Sequence, residues 1–190
     1  MENKIRLGFA MCGSFCTLDK AMRELERLSE KYDILPIMSQ ITYETDTRFG
    51  RAKDFIDRAK CACKKDVIHT VKDAEPIGPK RMCDALVIAP CTGNTLAKLC
   101  LGVTDTAVTM AAKAHLRNAR PLIIAVSTND ALACSAKNIG MLLNCKNIYF
   151  VPFSQDDPQN KERSCIADMT MLDKTITEAL SGKQITPVIM

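Results

Sequence analysis

Ala85–Ala89, ALVIA, runs directly into Pro90–Thr95, PCTGNT. Five apolar residues in a row, closed by a polar turn, are the pattern of a strand covered by helices on both faces. A second run of this kind, Leu122–Val126 (LIIAV), is introduced by Pro121 and closed by Ser127–Asp130 (STND). Between them lie helical stretches, Asn94–Leu101 ended by Gly102 and the Ala-rich Thr106–Arg117. Toward the N-terminus, Ile5–Phe9 (IRLGF) reads as a first strand. Thr17, a plausible helix cap, is followed by Leu18, Ala21, Met22, Leu25 and Leu28 at helical spacing. Ile34–Met38 (ILPIM) is a second strand, and its Pro36 predicts an edge position or a local irregularity.

Farther on, Ser39–Gly50 reads as irregular, Arg51–Cys63 as a helix, Val67–Val71 as a further strand and Asp73–Lys80 as a loop. Ala133–Leu143 is helical and Asn147–Val151 is the last clear strand. Pro152–Arg163 reads as a polar loop and Ile166–Leu180 as a helix, with the closing ITPVIM a strand or a surface strap. Strands alternating with helices imply parallel pairing through right-handed crossovers. The expectation is an α/β chain with a three-layer, doubly wound parallel sheet, flavodoxin- or Rossmann-like. It forms one domain over residues 1–190, with a C-terminal helix and tail from about residue 153.

Bulk properties exclude several classes. Twenty-six basic and 22 acidic residues, interspersed, give a net charge of +4, too little for a nucleic-acid binder. The opening MENKIRLGFA lacks the basic start and long apolar stretch of a signal peptide. No run approaches the ~18 apolar residues of a membrane helix. These features predict a cytoplasmic protein. The ten cysteines include no C-x-x-C pair, and several sit in apolar runs, so free reduced thiols are expected.

Ligands of doubly wound sheets bind outside the carboxyl ends of the strands. Four loops there carry polar groups. Ala10–Thr17 (AMCGSFCT) offers Gly13, Ser14 and Thr17 at a helix start, an arrangement suited to a phosphate. Ser39 follows the second strand. Pro90, Thr92, Gly93, Asn94 and Thr95 follow the third, and Ser127 and Asn129 crown the LIIAV strand. Each loop taken singly also fits a capped turn. Together they favour one cleft. His69 could reach that cleft as an acid or base, whereas His115 between Ala114 and Leu116 fits a structural role. No metal-ligand spacing is present.

Ala89–Lys98, APCTGNTLAK, resembles the Ala-Pro-x-Ser/Thr-x-Asn-Thr-x-Ala-Lys signature of FMN-binding flavoproteins. That family includes the peptidyl-cysteine and phosphopantothenoylcysteine decarboxylases, and the segment is also similar to the Pro-Cys-Ser motif of flavin prenyltransferases. The resemblance runs through Gly102–Val126, includes the Gly13–Ser14 turn and Ser39, and covers about residues 4–152. Ile5–Thr17, Ile68–Lys80, Val108–Asn118, Ser127–Leu143 and Asn147–Pro158 carry a closer likeness to one branch. That branch acts with a nicotinamide-binding A subunit to oxidise a cyclic dihydro- or hydroxytetrahydro-dipicolinate to pyridine-2,6-dicarboxylate during endospore formation. Two departures stand out. The decarboxylases carry Pro-x-Met-Asn-x-x-Met-Trp where this chain has Val126–Ala133, with only Asn129 kept. The prenyltransferases have arginine where Met110 stands.

The resemblance implies an FMN cofactor, an A-subunit partner, a small dicarboxylate substrate, a mother-cell location and a homo-oligomer built on trimers, for which Thr106–Arg117 is the expected contact. It places the phosphate at Gly13, Ser14 and Ser39, with Thr92 and Thr95 nearby. A single phosphate loop agrees with FMN rather than a dinucleotide. A dicarboxylate needs cations, and Arg48, Lys98 and Lys137 are the candidates, each of which also fits a solvated surface charge. His69 or Asn129 would handle a proton or orient the ring. Two other functions stay open: a flavin-dependent decarboxylase of a cysteinyl substrate, and a non-catalytic support for the A subunit.

Overall fold

The computed structural model describes residues 4–190. Its centre is a parallel sheet of β1 (Arg6–Met11), β2 (Asp33–Met38), β3 (Ala85–Cys91), β4 (Leu122–Thr128) and β5 (Ile148–Phe150). The strands stand in the order β2-β1-β3-β4, with β5 parallel to the first half of β4. Strand order therefore reverses between β1 and β3, the switch point at which flavodoxin-like sheets hold their ligand.

Burial follows the hydrophobic runs. Every residue of β3 is buried, as the unbroken ALVIA pattern requires. In β4 only Thr128, at the tip, is partly exposed. One helical layer contains α1 (Phe15–Ser29), which packs on α3 (Ala52–Cys63), and α8 (Leu172–Leu180), which packs on β3 and β4. The other contains α5 (Gly93–Leu101), α6 (Ala107–Leu116) and α7 (Ala136–Leu143). The doubly wound fold expected from sequence is the fold observed.

Pro36 lies on the edge strand. Ile68 donates its N–H to the Pro36 carbonyl and accepts from the N–H of Met38, at 2.9 and 2.8 Å. Pro36 therefore turns its missing N–H toward the outer rim, where no ladder bond is lost.

Some elements differ from the sequence pattern. Val67–Val71 is not a strand: Ile68 makes a single bridge to Ile37, and α4 (Val71–Ala74) follows. The irregular stretch after β2 contains a short helix, α2 (Gln40–Glu44). The 152–163 loop contains β6 (Phe153–Gln155), which pairs antiparallel with β7 (Cys165–Ala167). β7 in turn pairs with Ser127 and Thr128 at the tip of β4. Three-residue strands carry too little periodicity to read. The C-terminal ITPVIM segment straps onto β6 through Phe153, which donates to Val188 O and accepts from Met190 N.

The alanines of α6, expected to line a contact between copies, face the protein's own interior. Ala107, Ala111, Ala112 and Ala114 are all buried, together with His115, because small residues let the helix approach the sheet closely. The most exposed large apolar side chains on that layer belong instead to Leu101 at the end of α5 and Met141 in α7, two helices that pack on each other.

Candidate active-site cleft

The loops after β1, β3 and β4 converge on one open cleft of about 770 Å³. Its floor is the start of α1. Ser14 stands at the N-cap, but its side chain does not cap the helix, and no acidic residue occupies the first turn. Thr17 is not the cap expected from sequence. It lies one turn inside, buried, and donates to Ser14 O at 3.0 Å. The hydroxyls of Ser14, Thr17 and Ser127 form a triangle, each pair 2.9 Å apart. The triangle joins the β1 loop to the tip of β4 across the switch point.

β3 supplies the opposite rim. Thr92 caps α5, accepting from Thr95 N at 3.3 Å, and the two threonine hydroxyls lie 3.0 Å apart. Thr95 also donates to Cys12 Sγ at 3.2 Å. Complete burial pushes the Cys12 thiol up to about 11, so it is a packing group and not a thiolate. Pro90 follows a cis peptide bond, and its carbonyl accepts from Cys12 N at 3.3 Å, fastening β1 to β3 at their ends.

Gly93 is placed by close approach. A Cβ there would come within 2.6 Å of Ser135 Oγ, 2.7 Å of Asp130 Oδ1 and 2.8 Å of Thr128 Oγ1. Those atoms form their own knot, in which Thr128 and Ser135 donate to Asp130 Oδ1 at 2.5 and 2.8 Å. Gly13 differs, since a Cβ there would meet only the Ile41 and Phe15 side chains.

Ser39 begins α2, on the far side of Gly13 from the triangle. Its hydroxyl lies 2.8 Å from that of Thr42. Ser39 lines a second lobe of about 630 Å³ that also contains Thr95 and Lys98. Gly13, Thr92 and Asn94 border both lobes.

The remaining sequence candidates divide. Arg48 and Asn129 line the first lobe. Lys98 lines the second, paired with Asp105 at 2.8 Å. Lys137 lies exposed on α7 and lines neither lobe. His69 lines neither lobe and stacks on Tyr43, with ring centroids 3.8 Å apart and planes 5° from parallel. The structure thus does not bring His69 or Lys137 to the cleft.

Sequence reading missed one wall. Asp156, Lys161, Ser164 and Cys165 line the first lobe from the β6–β7 connection. Their only signal was a charged run on either side of Pro158, which reads equally well as a solvated loop.

The donor set fits a phosphate ester. A 15-residue helix presents its uncapped start to the cleft beside three hydroxyls, and an anion there satisfies N–H groups that the helix leaves without partners. Phe15, Phe49 and Ile166 line the same lobe and give it apolar surface that can cover a flat ring.

Comparison with known proteins agrees with this geometry. The Flavoprotein family model matches residues 1–182. The B subunit of dipicolinate synthase from Bacillus subtilis (strain 168) is 40% identical over 186 residues, which cover 97% of this chain and 93% of that protein. The crystal structure of the dipicolinate synthase B subunit from Bacillus halodurans superposes with a TM-score of 0.90 at 41% identity, covering 99% of this chain and 98% of that one. The FMN-dependent cysteine decarboxylase SpaF shares the fold, with a TM-score of 0.67 at 20% identity over 93% and 95% of the two chains. With the family match spanning nearly the whole sequence, this chain belongs to the Flavoprotein family.

Proposed function

We propose that the chain is the flavoprotein (B) subunit of a dipicolinate synthase, binding FMN in the cleft and acting with a dipicolinate synthase A subunit to form pyridine-2,6-dicarboxylate. The observation that carries the cofactor is the uncapped start of α1 beside the Ser14–Thr17–Ser127 triangle. The reaction is supported by likeness to two proteins of that name, each at about two-fifths identity over nearly the full chain.

In this reading Gly13, Ser14, Thr17 and Ser127 hold the phosphate by N–H and O–H donation. Thr92, Gly93, Asn94 and Thr95 shape the rim along which the flavin lies, and Ser39 closes the neighbouring lobe. A bound flavin supplies a two-electron acceptor for oxidising a reduced pyridine ring. Asn129, on the rim, orients the ring or the substrate. His69 takes no part, because it lines neither lobe of the cleft. A single domain, working in the cytoplasm of the mother cell as a homo-oligomer built on trimers, completes the proposal. Leu101 and Met141 are better placed than α6 to form the contact between copies.

The test is an assay with and without the A subunit. Dipicolinate formation that requires both chains and FMN is expected. Formation by the A subunit alone at the same rate would contradict the reading. Light scattering that finds only monomers at micromolar concentration would contradict the oligomer.

A further inference from the structure

The two lobes of the cleft differ in charge. The second lobe contains one cation, Lys98, already paired with Asp105, and a further acid, Glu44. A dianion placed there would meet a net negative wall. The first lobe contains Arg48 and Lys161, facing the acids Asp130 and Asp156. Asp130 is engaged by the hydroxyls of Thr128 and Ser135. Arg48 has no carboxylate partner among the described residues, and its guanidinium rests over the Phe49 ring, 4.8 Å from the centroid. Lys161 is paired only with Asp156, at 3.1 Å, and its side chain is 58% exposed.

The two cations come from chain segments far apart in sequence that line the same lobe. Arg48 stands in the segment between α2 and α3. Lys161 stands in the β6–β7 connection, which is anchored to the tip of β4. A planar ring with carboxylates at two separated positions has one charge to offer each. Building on the dicarboxylate reading above, we infer that Arg48 and Lys161, which line the first lobe, each grip one of the two carboxylates of the substrate, while Lys98 and Lys137 take no part. Arg48 presents a fork to one carboxylate. Lys161 exchanges its exposed bond to Asp156 for the other.

Isothermal titration of the FMN-loaded protein with pyridine-2,6-dicarboxylate tests this, with pyridine-2-carboxylate as the single-charge control. Arg48→Gln and Lys161→Gln are each expected to weaken dicarboxylate binding more than tenfold and leave FMN affinity unchanged. Lys98→Gln should bind within twofold of the parent. The monocarboxylate should bind more weakly than the dicarboxylate and respond to one of the two substitutions only. Dicarboxylate binding that ignores both substitutions, or that falls in Lys98→Gln instead, would overturn the assignment. So would a loss of FMN affinity in Arg48→Gln or Lys161→Gln, which would give these cations to the flavin phosphate. A parent chain that binds FMN but no dicarboxylate would overturn the substrate reading itself, along with this inference.

Discussion

The hydroxyl of Ser14 lies 2.9 Å from that of Ser127, although 113 positions separate the two residues. The contact exists because β1 and β4 flank β3, and their ends meet above it. Two strand-end serines that would each pass for a helix cap become one donor cluster once the strand order is known.

Gly93 is a steric requirement of that arrangement. Its replacement by alanine would push a methyl group into the Thr128–Asp130–Ser135 knot, with three polar atoms within 2.8 Å. Overpacking of this kind costs about 1–3 kcal/mol. Urea unfolding of Gly93→Ala should show that loss, whereas Gly13→Ala, which meets only flexible side chains, should unfold close to the parent.

His115 makes stability depend on pH. Its ring is buried in α6 and donates from Nε2 to Pro121 O at 3.0 Å. Burial pushes its pKa down to about 4. The unfolded chain, with an ordinary value near 6.5, binds a proton that the folded chain refuses. Stability therefore is full above pH 6.5, falls as pH drops toward 4, and loses about 3 kcal/mol across that window. Measured between pH 7 and 4, His115→Gln should lose markedly less stability than the parent. Equal slopes would contradict the account.

The cysteines provide a footprint. Burial raises the thiols of Cys12, Cys63, Cys83 and Cys91, so alkylation at neutral pH should spare them. Cys16, Cys61, Cys134 and Cys145 are exposed. Among these only Cys16 lines the first lobe. FMN should slow iodoacetamide modification of Cys16 and leave the other three unchanged, as read by peptide mass spectrometry. Uniform rates with and without FMN would move the ligand elsewhere.

Much of this was legible in the sequence because it depends on local pattern. ALVIA and LIIAV mark buried central strands, and Pro36 marks an edge. The polar residues after β1, β2, β3 and β4 read as one cleft; the structure brings those after β1, β3 and β4 together in the first lobe and sets Ser39, after β2, in the second. What was not legible depends on long-range packing. The β6–β7 wall rests on strands of three residues, too short for a period to appear, so Lys161 looked like any solvated charge. His69 was expected near the cleft because its neighbours resemble a strand. It follows a one-residue bridge instead, and its ring stacks on Tyr43. The alanines of α6 suit contact between copies as well as contact with the sheet, and only the fold decides between the two.

The central claim is that the α1 start and the Ser14–Thr17–Ser127 triangle hold the phosphate of FMN. Titration of the purified chain with FMN, followed by quenching of flavin fluorescence, tests it most directly when run beside Ser14→Glu. Ser14 is only half-buried, so the variant should keep its fold by circular dichroism while placing a carboxylate where the phosphate belongs. One FMN per parent chain is expected, with loss of binding in Ser14→Glu. Unchanged flavin affinity in a folded Ser14→Glu protein, or no FMN binding by the parent, would contradict it.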